Sequence, residues 1–199
     1  MGPVGFDLDM TLIDSRPAIL ASFAGLGRDT ATAIDLEAVD SRLGIKLEDE
    51  LACWYPPDQR AAAAAIYRRH YVRLAEQMTT TLPGAHEALA AVRAAGERVV
   101  IITAKHAISV APSLRAVGLE ADEVFTFVHG PEKAAVLSRI NAAAYVGDSP
   151  PDMAAAVAAG VRAVGVATGS FSGDALARAG ADVVLDSLAG FPAWYQTIR

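Results

Sequence analysis

The stretch "GERVVIITAKHAISVAPSLRAVG", Gly96 to Gly118, decides the fold. Val99 to Ile102 is a compact β-branched run, the length and composition of a strand buried on both faces. Gly96, just before it, is a C-terminal cap for the helix-like "PGAHEALAAVRAAG", in which Leu89 and Val92 share a helical face. After it, "HAISVAPSLRAVG" reads as a helix that Pro112 threatens to interrupt. The same rhythm continues outward. "EVFTFV" reads as strand, "PEKAAVLSRI" as helix, "AAAYVG" as strand and "PPDMAAAVAAG" as helix. "RAVGVA", "GDALARAG" and "DVVL" follow as strand, helix and strand. Val4 to Asp7 supplies one more central strand. This alternation predicts an α/β fold, a Rossmann-like parallel sheet flanked by helices on both faces.

Residues 16 to 79 break the rhythm, with no clear strand. Arg16 to Leu26 reads as a helix with Asp14 or Ser15 as cap and Pro17 in its first turn. Leu36 to Leu43 and Leu47 to Trp54 are short helical segments. A longer helix runs to Met78, with Tyr67, Tyr71, Leu74 and Met78 on one stripe. The expected organisation is a core of residues 1–15 plus 80–199 and a small all-helical domain of residues 16–79, inserted after strand 1. Its hinges fall at Asp14–Ser15 and Thr79–Gly84. Cys53 is expected in the core of that insert, and Arg68, Arg69 and Arg73 on a solvated face.

Composition narrows the function. The 199 residues are 53% hydrophobic, enough for a sizeable core, and the net charge of −6 leaves no general footprint for nucleic acid or an anionic membrane. An anionic ligand therefore needs a local site. One cysteine excludes an internal disulfide and a Cys-rich metal centre. No basic, then apolar, leader precedes Val4, and the apolar region Met153–Ala167 is broken by Gly160 and Arg162. A cytoplasmic protein is expected, as a monomer or homodimer.

In open parallel sheets ligands bind beyond the carboxyl ends of the strands. Those ends carry Asp7 and Asp9, then Thr103, then Lys133 at the start of the next helix, then Asp148 with Ser149 and Asp152. Like charges this close are costly unless a cation or a shared proton offsets them. A carboxylate-rich oxygen shell suits Mg²⁺, which commonly bridges to phosphate. A hydroxyl and an ammonium suit the remaining phosphate oxygens.

Four motifs in order, "DLDMT", the Thr of "IITAK", the Lys of "PEKAAV" and "GDSPPD", resemble the haloacid dehalogenase-like hydrolase superfamily, and within it phosphatases similar to phosphoglycolate phosphatase. The flanking "TLIDS" and "LPG" and the later "AAAVAAGVRAVGVATG" match as well. The resemblance implies a Mg²⁺-dependent phosphatase working on a small-molecule phosphate ester, of the phosphoglycolate or sugar-phosphate type, through an aspartyl-phosphate. Asp7 is then the nucleophile and Asp9 the general acid and base. Mg²⁺ is held by the Asp7 carboxylate, the Asp9 backbone carbonyl and Asp148, with Asp152 orienting metal-bound water. Thr103, Ala104 and Lys133 contact the phosphoryl group, and the helical insert is a mobile cap. "RLGIK", Arg42 to Lys46, resembles the cap loop that faces the site, which makes Arg42 and Lys46 candidate substrate contacts.

Two departures stand out. Met10 occupies a position where this group usually has Gly, and "HGPEKAAV" lacks the usual Lys-Pro pairing. The presence of Asp9 disfavours a dehalogenase, and Lys46 is the only cap lysine for a phosphonate hydrolase's Schiff base. A sugar phosphomutase on the same core and a non-catalytic binding protein stay open. His106 either lines the pocket or sits exposed at a helix start.

Overall fold

The computed structural model describes all 199 residues. Six strands form the main sheet: β1 (Val4–Phe6), β4 (Val99–Ile102), β5 (Glu123–Phe125), β6 (Ala144–Gly147), β7 (Arg162–Val166) and β8 (Val183–Leu185). Every pairing is parallel, in the order β5-β4-β1-β6-β7-β8. The chain winds one way from β1 through β4 to β5, and the other way from β6 to β8. The reversal at β1 opens a crevice at the strands' carboxyl ends, where such sheets bind ligands.

Alternation along each strand sends side chains to opposite faces. Val4, Phe6, Val99, Ile101, Ala144 and Val146 share one core with α5 (Ala85–Ala94), α6 (Ala107–Val117) and α10 (Phe191–Thr197). Val100, Ile102, Tyr145 and Ala163 share another with α7 (Pro131–Arg139), α8 (Pro150–Ala159) and α9 (Gly173–Arg178).

The insert holds four helices: α1 (Arg16–Thr30), α2 (Leu36–Ser41), α3 (Leu47–Ala52) and α4 (Arg60–Met78). They enclose a third apolar cluster of their own, with Phe23 against Tyr67 at 4.7 Å between ring centroids. The Asp14 carboxylate accepts the Arg16 N–H and caps α1, while the Ser15 hydroxyl is turned elsewhere. The two connections are clasped by a short antiparallel ribbon, β2 (Ile13–Asp14) with β3 (Thr80–Thr81). The insert thus follows the first sheet strand as expected, with β2 as a short lead-in. A two-residue strand is too short to leave a period in the sequence.

Other expectations are corrected. Cys53 is exposed at the end of α3, outside the insert's core. The helix expected over "HAISVAPSLRAVG" does form, as α6, and runs through the buried Pro112 without interruption. The run "EVFTFV" is strand only to Phe125, because Phe127 turns left-handed at φ 60° and leads the chain out of the sheet. Helix α10 was not expected. Phe191 and Tyr195, one helical turn apart, stack under the sheet.

Candidate active site

Three carboxylates meet where β1 and β6 end. Asp7 follows β1, Asp148 follows β6, and α8 carries Asp152 in its first turn. All three are buried, and one oxygen from each lies within 4.8 Å of the others. Lys133, in the first turn of α7, donates to Asp7 Oδ1 and to Asp152 Oδ1, both at 2.7 Å. Three carboxylates and one ammonium leave a formal charge of −2 in a buried, all-oxygen cluster, the deficit that one hard divalent cation fills.

The electrostatics show the same strain. Burial, and then Asp152, pushes the Asp7 carboxyl up to about 7 despite Lys133. Burial, followed by repulsion from Asp152 and Asp7, holds Asp148 well above the usual carboxylate range. Burial opposes the charge of Lys133, but Asp152 and Asp7 outweigh it and raise its pKa. The scaffold leaves little slack. Gly147 sits where a Cβ would lie 2.5 Å from that of Asp152, and a Cβ at Gly169 would collide with Asp148. Thr11 donates to Asp148 Oδ1 at 3.0 Å, and the Tyr145 hydroxyl lies 3.2 Å from Asp152 Oδ1.

The Asp9 side chain lies outside this acid cluster. Its Oδ1 accepts from Lys105 Nζ at 2.7 Å and from the Ser15 hydroxyl. Lys105 in turn lies 4.2 Å from the ring centre of Tyr71, on α4 of the insert. Met10 adopts φ 62°, which explains why glycine suits that position.

A cavity of about 150 Å³ separates the acids from the helical insert. Thr103, Ala104, Lys133, Arg42, Lys46 and His106 all line it. Arg42, however, is not free. Its Nε and one terminal nitrogen donate to both oxygens of buried Glu50 at 2.8 and 2.7 Å, and Trp54 Nε1 also donates to Glu50. Arg68 is not on the solvated face. It turns inward, lines the cavity and donates to Glu48 at 2.7 Å. Arg69 and Arg73 are exposed. His106 is both exposed and a lining residue, and it caps α6 by accepting the Ile108 N–H.

The family model described as haloacid dehalogenase-like hydrolase matches residues 4–157, and a second, HAD-hydrolase-like model matches residues 132–191. The chain belongs to the haloacid dehalogenase-like hydrolase family. A phosphoglycolate phosphatase of Cupriavidus necator is 30% identical over 94% of this chain and 90% of its own length. Among solved structures, a hydrolase from Pseudomonas syringae superposes with TM-score 0.82 at 22% identity, covering 100% of this chain and 99% of that one. CbbY from Rhodobacter sphaeroides, in complex with phosphate, gives TM-score 0.82 at 20% identity over 95% of each chain. The fold of this haloacid dehalogenase-like chain, helical insertion included, is thus that of the family. It is a haloacid dehalogenase-type phosphatase, a hydrolase of phosphoric monoesters.

Several residues at this family member's site escaped the sequence reading. Lys105 stands inside the quoted "IITAK", where the resemblance gives roles only to Thr103 and Ala104. Thr11 stands inside "DLDMT", and nothing in that motif points to Asp148, 137 positions on, as its partner. Glu50 and Tyr145 carried no signal, since their roles depend on helices and strands meeting in space.

Proposed function

We propose that the protein is a Mg²⁺-dependent phosphatase that hydrolyses a small phosphomonoester through an aspartyl-phosphate on Asp7. The observation that supports this most is the charge of the buried cluster: Asp7, Asp148 and Asp152 against Lys133 alone. The Asp7 and Asp148 carboxylates, with the Asp9 backbone carbonyl, are the groups that would hold Mg²⁺, and Asp152 would orient its water. The ion would supply charge neutralisation on the transferring phosphoryl group.

The chain's own groups carry the chemistry. An Asp7 oxygen attacks phosphorus in line, and the ester oxygen departs with a proton from Asp9. Water then attacks the same phosphorus and gives its proton to Asp9, and phosphate leaves with Asp7 restored. Lys133, already 2.7 Å from Asp7, would neutralise charge between nucleophile and phosphate, and Thr103 and Ala104 would meet the phosphoryl oxygens. Residues 16–79 would act as a cap over a core of 1–15 and 80–199, closing the cavity to water. No helix is long and apolar enough to cross a membrane. A cytoplasmic location is part of the proposal.

Hydrolysis of a generic aryl phosphate with and without Mg²⁺ tests the reading, with Asp7→Asn beside it. Metal-dependent turnover lost in the variant is the expected result. Unchanged turnover in Asp7→Asn overturns the mechanism. Borohydride trapping of the acyl phosphate checks the intermediate separately.

A further inference from the structure

One wall of the cavity takes no part in that chemistry. Phe127, between β5 and α7, lines it while 48% exposed, and its backbone is left-handed at φ 60°. A bulky residue in that region is strained, and such strain persists where the surroundings impose it, commonly at functional sites. Neither burial nor backbone preference accounts for a phenyl ring here. The rings of His106 and His129 meet it near right angles, with centroids 5.7 and 5.0 Å away, and fix its orientation. Ile45 of the insert also lines the cavity and is 45% exposed; Ile19, Phe23, Val39 and Leu43 extend the apolar lining.

The charges beside this wall are spent. Arg42 is neutralised by Glu50 and Arg68 by Glu48, while Lys105 and Lys133 hold acids of the site. Both glutamates also line the cavity, so neither pair presents net positive charge to an anionic leaving group. Lys46 alone among the lining lysines and arginines has no carboxylate partner, and it is exposed, where a single ammonium attracts weakly.

We propose that Phe127 and Ile45 form the leaving-group subsite. The enzyme prefers monophosphates of neutral alcohols with an apolar, aromatic portion over esters whose leaving group carries a second anion, phosphoglycolate included. This rests on the phosphatase reading and narrows it.

The test compares kcat/KM for benzyl phosphate and phosphoglycolate, two alkyl esters that differ in the group presented to this wall. Benzyl phosphate is expected to be favoured by about tenfold or more, the scale of one good aromatic contact. Phe127→Gly keeps the left-handed backbone and should shrink that ratio about fivefold, chiefly through a higher KM for benzyl phosphate. Phe127→Asn, which also tolerates this backbone, gives the same reading if the glycine variant folds poorly. An unchanged ratio in the variants overturns the subsite. A wild-type preference for phosphoglycolate that Lys46→Met abolishes also overturns it, and assigns specificity to the lysine. Generic aryl phosphate turnover separates the two levels: with it present, a failed ratio refutes only the subsite; without it, the phosphatase reading falls and the subsite with it.

Discussion

Removing the charge of Asp7 should stabilise the metal-free protein. The carboxyl is pushed up to about 7 in the fold from 3.8 for a free aspartate side chain, because burial and then Asp152 disfavour its ionised form. A group raised in this way contributes most when neutral. Its stabilisation is complete below pH 3.8 and is lost as the pH climbs to 7. At 1.36 kcal/mol per pH unit, that span amounts to about 4 kcal/mol at pH 8. Asparagine is a near-isostere of the neutral acid, so Asp7→Asn should escape the loss. For a chain of this size about 4 kcal/mol corresponds to roughly 8–16 °C in Tm. Thermal melts in EDTA should therefore show the variant well above wild type at pH 8, with the gap closing toward pH 4. Saturating Mg²⁺ should raise the wild type more than the variant, because the ion binds the folded state and offsets the same charge. If Asp7→Asn melts at or below wild type at pH 8 in EDTA, the Lys133 pair outweighs desolvation and the account of the cluster is wrong.

Gly147→Ala should push Asp152 away from Lys133, costing about 1–3 kcal/mol and at least about tenfold in kcat. Urea denaturation and steady-state kinetics report the two effects. Lys105→Met strips Asp9 of its ammonium beneath Tyr71. We expect a loss of about 1–3 kcal/mol in urea melts and a lower kcat. Arg42→Ala leaves Glu50, whose side chain is 5% exposed, with only Trp54 to donate to it, and should lower stability by about 2 kcal/mol in urea melts.

The parts legible in the sequence are those whose causes are local or repeated. β-branched runs such as Val99–Ile102, set off from the preceding helix by Gly96, announce buried strands without knowledge of their neighbours. The acids at strand ends were legible because a parallel sheet delivers all such ends to one edge. What stayed hidden depends on meetings in space. Nothing around Arg42 says that Glu50, eight positions on and in another helix, takes both its donors. Arg68 looks like one more charge on an exposed helix until α3 presents Glu48 to it. Phe127 reads as part of a strand, and its departure from β geometry appears only in the backbone. Met10 was legible as an oddity, and the left-handed turn supplies its cause.

The clasp of β2 with β3 has an engineering consequence. Ile13 lies opposite Thr81 and Asp14 opposite Thr80, so the chain departs and returns through neighbouring backbones about 5 Å apart. Everything between those points can be exchanged at the closure cost of a hairpin, whatever its length or shape. A tight turn in its place would give a chain with an open crevice, and a graft from another relative would give a different lid on the same chemistry. The ribbon works as a socket.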